Sequence, residues 1–328
     1  MNAAHRGAAA LLLLALPACG PSTSLERVPI PPGSSLRAAA DSLKAHGVIW
    51  STTYFRMRAR WVHADRSVKA GVYQLPRHAP IPVILHALAI GDAMHFRITL
   101  PQGGTIIDLA HAAGRLGIST DSILAAAHDS SLLHRLGIDG PSAEGWLLPE
   151  TFEFGQFDSA RTVITRFATA RLSSWDANWD VQAKAQGLDR RELLTLASLV
   201  EAEAANPADR ALIAAVYRNR LKRGMPLQAD PSIEYSYLIT SGARKGRLSD
   251  VDYRLDSPWN TYLHPGLPPG PIDNPSRDAI EAVLAAPRVP YLYFVAGGDG
   301  RSHFATTYPE HLRNIRRYLA PPMAPVSR

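Results

Sequence analysis

Two glutamates, Glu201 and Glu203, stand with only Ala202 between them in LASLVEAEAANPADR, residues 196–210. A carboxyl held at the rim of an apolar cleft has its charged form disfavoured. It can then keep a proton near neutral pH and act as a general acid. The same side chain on a solvated helix edge does no chemistry, and that is its commoner fate. The flanking sequence predicts a helix: Asp189 can cap it, Glu192 follows in capping-box register, and leucine and alanine dominate. At about 100° per residue, Leu193, Leu196, Ala197, Val200 and Ala204 make an apolar stripe. Glu201 and Glu203 fall roughly 80° to either side of its centre. Both are boundary positions, and periodicity does not choose between them.

The elements around this helix come from composition and pattern. The chain has 328 residues, 46% apolar and 20% charged, enough for a sizeable core and about two domains. Its 26 prolines cluster in VPIPPG, PRHAPIP, HPGLPPGPIDNP and APPMAP, which read as turns and loop walls. A net charge of +6 would suit an anionic polymer or a membrane surface. Arginine and lysine are spread thinly, however, without zinc-finger spacing, P-loop or arginine-rich run, so nucleic acid is not an expected partner.

An internal echo organises the first third of the chain. PGSSLRAAADSLKAHGVI starts at Pro32 and QGGTIIDLAHAAGRLGI at Gln102. Gly33 matches Gly103, Ser35 matches Thr105, Leu36 matches Ile106, Ala40 matches Ala110 and Gly47 matches Gly117. Each copy predicts a strand lead-in, a turn, a hydroxyl N-cap, an amphipathic helix and a glycine stop. KAGVYQL and FRITL read as strands, with a helix from about 82 to 91 between them. We therefore expect an α+β fold with a small module over 28–100. A second domain follows over 101–319, largely helical from about 104 to 185, with ARTVITRFATARLSSWDANW as one long helix. A flexible tail covers 320–328. The first module resembles LysM-type modules, which bind glycan chains of cell-wall polymers.

The amino terminus reads as a leader. MNAAHRG is weakly basic, AAALLLLALPA is too short to span a bilayer, and Leu16-Pro17-Ala18-Cys19 resembles a bacterial lipobox. The expectation is a signal peptide over 1–18, lipidation at Cys19, a tether over 19–27 and export as a membrane-anchored lipoprotein. Gly20, after the cysteine, leaves outer-membrane sorting open.

LASLVEAEAANPADRALIAAVYRNRLKRGMPLQADPSIEY, LDSPWNTYLHPGLPPGPIDNP and PYLYFVAGGDGRSHFATTYPEH occur in this order. Together with KAGVYQL and SAEGWLLPETFEF, they resemble the MltG/YceG-like endolytic murein transglycosylases from about Val28 to Leu319. The resemblance makes Glu201, first of the E-x-E pair, the catalytic residue and Glu203 a supporting one. It implies cleavage of the β-1,4 bond between N-acetylmuramic acid and N-acetylglucosamine, leaving 1,6-anhydro ends without consuming water. Because the nucleophile is the substrate's own C6 hydroxyl, one carboxyl suffices where hydrolytic glycosidases usually need two. Asp230 and Glu234 leave a second carboxylate open.

MPLQADPSIEY is expected as a loop running from the helix toward the cleft. Gln228, Asp230 and Tyr235 there, with Asn260 and Tyr262 further on, could orient acetamido and hydroxyl groups, and Trp259 could stack on a sugar. Each has a packing alternative, such as Asp230 forming a turn or Asn260 bonding its own backbone. The sequence departs from the family pattern at Ala202, Gln102, Trp259 and around His303, and in having a lipobox where the family has a spanning helix. No cofactor or metal is expected. The resemblance implies peptidoglycan strands as substrate and peptidoglycan synthases (penicillin-binding proteins) as partners. A hydrolytic muramidase and a non-catalytic wall-binding scaffold are the alternatives.

Overall fold

The computed structural model describes residues 24–64 and 67–319, so the expected leader, Cys19 and the expected tail lie outside the described residues. The chain divides into two compact units, the first ending at Met94 and the second beginning at His95. The fold is α+β, as expected. No helix among the described residues is long and apolar enough to cross a membrane.

In the first unit, β1 (Leu25–Ile30) is followed by α1 (Leu36–Ala45), α2 (Thr52–Trp61), β2 (Gly71–Pro76) and α3 (Ile81–Ile90). β1 and β2 pair antiparallel with Val28 opposite Tyr73. Alternation along them turns Val28, Ile30, Tyr73 and Leu75 inward against Leu43, Phe55, Ile84 and Leu88. Ser35 accepts from the Ala38 amide and starts α1, as its place in the echo predicts. The short α2 was not expected. Only Phe55 and Ala59 of it are buried, and its remaining apolar residues face outward, so no single stripe marks it.

The second unit opens with β3 (His95–Thr99), the strand expected to close the first module. Instead it pairs antiparallel with β4 (Thr151–Gly155), with Ile98 opposite Phe152 and its side chain in the larger core. Alternation marks a strand but does not name its partner. Between these strands lie α4 (Ile106–Ala113), α5 (Thr120–Ala127) and α6 (Ser130–Leu136). Thr105 and Asp108 form a reciprocal capping box on α4, so the second copy of the echo is again strand, turn and capped helix.

The long helix expected over 160–179 is two helices, α7 (Ala160–Ser173) and α8 (Ala177–Ala185). Asp176 breaks it, its carboxylate accepting from the Asn178 amide to cap α8. Then come α9 (Arg190–Glu203), α10 (Arg210–Lys222), α11 (Asp230–Ser241) and α12 (Arg277–Leu284). A hairpin of β5 (Tyr293–Ala296) and β6 (Ser302–Ala305) precedes α13 (Tyr308–Tyr318).

Candidate active site

α9 starts as its sequence predicts, with the Asp189 and Glu192 side chains each bonding the other's backbone amide. Its burial is wider than one stripe. All eight residues from Leu193 to Val200 are buried, because α8, α10, α11 and α12 pack around it. Ala204, counted in the expected stripe, is only half-buried. The helix thus stays buried until Glu201, where it meets a cleft of about 660 Å³. Six carboxylates line that cleft, from Asp108, Glu201, Glu203, Asp230, Glu234 and Asp273, facing one guanidinium, Arg244.

Glu201 is fixed at both oxygens. Arg210, the first residue of α10, donates from Nη2 to Oε1 at 2.6 Å, with both side chains nearly buried. The Ser276 amide donates to Oε2 at 2.9 Å, and the Ser276 hydroxyl donates to the same oxygen. That hydroxyl oxygen also accepts from the Ala279 amide, capping α12. The positive end of the α12 dipole therefore lies beside the carboxylate. Oε2 takes two donors while Oε1 takes one, so Oε1 keeps a lone pair on which a proton can sit.

Three segments far apart in sequence are tied together behind Glu201. Asn274 donates from Nδ2 to the Gly104 carbonyl at 3.0 Å and to Glu144 Oε1 at 2.7 Å, and its Oδ1 accepts from the Leu147 amide. Backbone bonds join Asn274 to Gly103 and Gly104 in both directions. Glu144 is also reached by the Ile106 amide and the Tyr235 hydroxyl. Arg171, fully buried, donates to the Leu147 and Pro275 carbonyls, which holds the strap that carries Ser276. Gly145 (φ +83°) lets the two segments touch: a Cβ there would lie 2.4 Å from Pro271 Cγ.

Gly103 forms the cleft wall opposite, with φ +66° and the site of an absent Cβ 3.4 Å from Glu201 Cγ. Gly103→Ala is expected to cost about 1–2 kcal/mol of stability in a urea melt, from the left-handed backbone alone. The added methyl would meet Glu201 Cγ at ordinary van der Waals distance, so turnover should change no more than with an alanine at Gly33, which has nothing within 4 Å.

Burial raises three of these carboxyls. Desolvation lifts Glu144 from the ordinary 4.5 to about 8, against bonds from Ile106, Tyr235 and Asn274 that lower it. Glu203 rises to about 7, again through burial, opposed by the Tyr217 hydroxyl that donates to its Oε1 at 2.9 Å. Asp273 is also raised, by burial and then by the charges of Glu144 and Glu201, and its Oδ1 has no hydrogen-bond partner.

These shifts make stability depend on pH. Below pH 4.5 both folded and unfolded Glu144 hold the proton. From there to about pH 8 the unfolded chain has lost it while the folded chain keeps it, so this group's contribution falls as pH rises. The slope is about 1.4 kcal/mol per pH unit. Glu203 adds the same sign up to about pH 7. Urea midpoints measured across this range should therefore fall less steeply in Glu144→Gln than in the parent.

The residues expected to bind substrate separate into two groups. Asp230 lines the cleft and accepts from the Tyr262 hydroxyl at 2.5 Å, with Tyr253 at 3.5 Å. Gln228 is exposed, accepts from Arg220 at 3.2 Å and adopts φ +51°, an uncommon backbone for a residue with a side chain. Asn260, by contrast, is fully buried and bonds the Tyr253 and Leu255 carbonyls, so it shapes its own loop rather than facing the cleft.

Tyr235 is buried against Glu144, and Trp259 packs on the Tyr235 ring at 5.7 Å with its Nε1 sealed inside. Neither presents a face to the cleft. The expected loop is in part α11, because Pro231 falls in its first turn, where the missing amide costs nothing. Glu234 accepts from the Lys245 and Gly246 amides and so anchors a loop of the cleft.

The chain compares closely with proteins of known kind. A model of the YceG-like family matches residues 28–317. The chain belongs to the YceG-like family. It is 32% identical over 315 residues to a protein of Bacillus subtilis named endolytic murein transglycosylase, covering 91% of this chain and 86% of that one. A Streptococcus pneumoniae protein of the same name is 31% identical over 93% of this chain, which spans 60% of its length. The crystal structure of a yceG-like protein from Listeria monocytogenes matches with a TM-score of 0.61 and 29% identity, over 89% of this chain and 99% of that one.

In this YceG-like chain the sequence singles out Glu201 but not the residues that grip it. Arg210 closes the stretch first singled out, and Ser276 directly follows PIDNP. Glu144 lies within SAEGW. Arg210 and Glu144 lie inside these motifs and Ser276 at the edge of one, each a polar residue whose partner in the site lies more than one helical turn away.

Proposed function

We propose that the chain is an endolytic murein transglycosylase that cleaves the MurNAc-β-1,4-GlcNAc bond of uncrosslinked glycan strands, with Glu201 as acid and then base. The observation that carries the reading is Glu201 at the cleft wall, gripped by Arg210 and Ser276 with one lone pair of Oε1 free. Glu201 donates its proton to the glycosidic oxygen as the C1–O bond breaks. The C6 hydroxyl oxygen of the muramic acid closes on C1, and its proton passes to Glu201. The carboxyl is restored and no water is consumed.

Arg210 and the α12 terminus hold the Glu201 carboxyl in one place through both transfers. Of the two carboxylates the sequence leaves open as a hydrolytic partner, Asp230 accepts from the Tyr262 hydroxyl and Glu234 from two backbone amides that anchor a loop. Asp230, Tyr262 and Gln228 are the polar groups we assign to sugar contacts, with Glu203 supporting the acid. The LysM-like reading of the first unit, lipidation at Cys19 with export, a role in ending glycan elongation, and association with peptidoglycan synthases complete the proposal.

The test is incubation of the full chain with uncrosslinked glycan strands and mass spectrometry of the new ends. Anhydro ends are expected. Reducing ends would make it a muramidase, and intact strands a wall-binding scaffold.

A further inference from the structure

The outward face of α2 carries a stripe that the catalytic reading does not use. Trp61 is 72% exposed, Tyr54 53% and Met57 52%, and Trp50, just before the helix, is 77% exposed. At 100° per residue Tyr54, Met57 and Trp61 share an arc of about 60°. The buried pair, Phe55 and Ala59, lies on the opposite side of the helix. Arg58 and Arg60 fall on the two shoulders of the stripe, and the Arg58 guanidinium sits 5.4 Å from the centre of the Trp61 ring. Trp50 is held in place by stacking on His78 at 4.0 Å.

The stripe belongs to an unusual unit. Of the sixteen large apolar residues exposed among the described residues, eight lie in the first unit, which holds about a quarter of them. Val83 and Ile90, on the α3 helix that packs against α2, are two of the eight. Charge is concentrated there too. From Ser24 to Met94 there are nine Arg and Lys against four Asp and Glu, so this quarter carries +5 of the chain's +6.

We propose that this face docks on an anionic phospholipid surface, with Trp50, Tyr54, Met57 and Trp61 in the headgroup layer and Arg58 and Arg60 on lipid phosphates. Tryptophan and tyrosine sit well at that depth, having an apolar ring with one polar atom. Arginine at the shoulders matches the negative surface potential of such a layer. A saccharide is the weaker fit. It needs a groove and side chains that both donate and accept toward its hydroxyls, whereas these rings project from a ridge whose long polar neighbours are guanidinium donors. Docking of this face does not require an acyl anchor. If Cys19 carries one, Leu25 is only six residues away, so about 20 Å of extended chain would hold the unit near the surface.

The test is tryptophan quenching of the full chain by vesicles of phosphatidylglycerol with brominated acyl chains. Quenching is expected in the parent, with loss of most of it in W50F/W61F and weakening in R58Q/R60Q or in pure phosphatidylcholine. These side chains are at the surface, so urea midpoints should stay unchanged. Equal quenching in the parent and W50F/W61F would overturn the proposal, as would indifference to lipid charge. So would an emission change on adding glycan strands that W50F/W61F abolishes while vesicles leave the parent unquenched, which would make the stripe a sugar platform.

Discussion

Glu201→Gln is expected to lower the rate of anhydro-end formation by ~10²–10⁴-fold, the range in which a single positioned proton-transfer group contributes. The upper part of that range applies because one carboxyl serves both transfers, so the substitution removes acid and base together. The amide keeps the shape of the side chain, and its oxygen can still accept from Arg210 or Ser276. Its NH₂, however, then faces the other donor, so a modest loss of stability should accompany the loss of rate. Glu203→Gln is the matched control. Glu203 is bonded by Tyr217 rather than gripped by a cation, and the amide oxygen can keep that bond. Its kcat/KM should stay within roughly tenfold of the parent, well short of the loss at a group that transfers the proton itself. Equal losses at the two positions would contradict the division of labour between them.

Arg210→Met should have the largest effect on stability, about 3–5 kcal/mol in a urea melt. Its side chain and that of Glu201 are 9% and 7% exposed, so the substitution leaves a nearly buried carboxylate without its cation. The ion pair need not be a net stabiliser for this to hold, since the cost arises from stranding one partner. A double variant, Arg210→Met with Glu201→Gln, separates the two effects. With no charge left to strand, it should be less destabilised than the sum of the single variants, by about 0.5–3 kcal/mol. Strict additivity would mean that the 2.6 Å contact does not couple the residues in solution.

Local features of the fold were legible in the sequence. The Asp189–Glu192 capping box and the Ser35 and Thr105 caps involve residues three apart, and such bonds can be read from spacing. Pairing could not be read. The His95–Thr99 strand carries the same alternation whichever unit it joins, and its partner lies more than fifty residues on. α2 escaped because apolar residues occupy both its faces, one for the core and one for the surface. α11 escaped because Asp230-Pro231 reads equally as a turn and as a helix start.

The same limit governs the site. The edge position of Glu201 followed from the helical wheel, and its choice over Glu203 from the motifs around it. Ser276 bonds it from seventy-five residues away and Asn274 ties Gly104 from one hundred and seventy, separations that no periodicity carries. Asn260 and Tyr235 could be named from their types, but only burial separates a side chain that closes a loop from one that meets a sugar.

The central claim is that the substrate's own hydroxyl, and not water, takes the place of the departing sugar, with Glu201 moving the proton. Digesting uncrosslinked glycan strands in water enriched in heavy oxygen tests it directly, read by mass spectrometry of the newly formed muramic ends. New ends carrying no heavy oxygen, made by the parent and nearly absent with Glu201→Gln, are expected. Incorporation of one heavy oxygen per new end, or unlabelled ends formed equally fast without the Glu201 carboxyl, would contradict it.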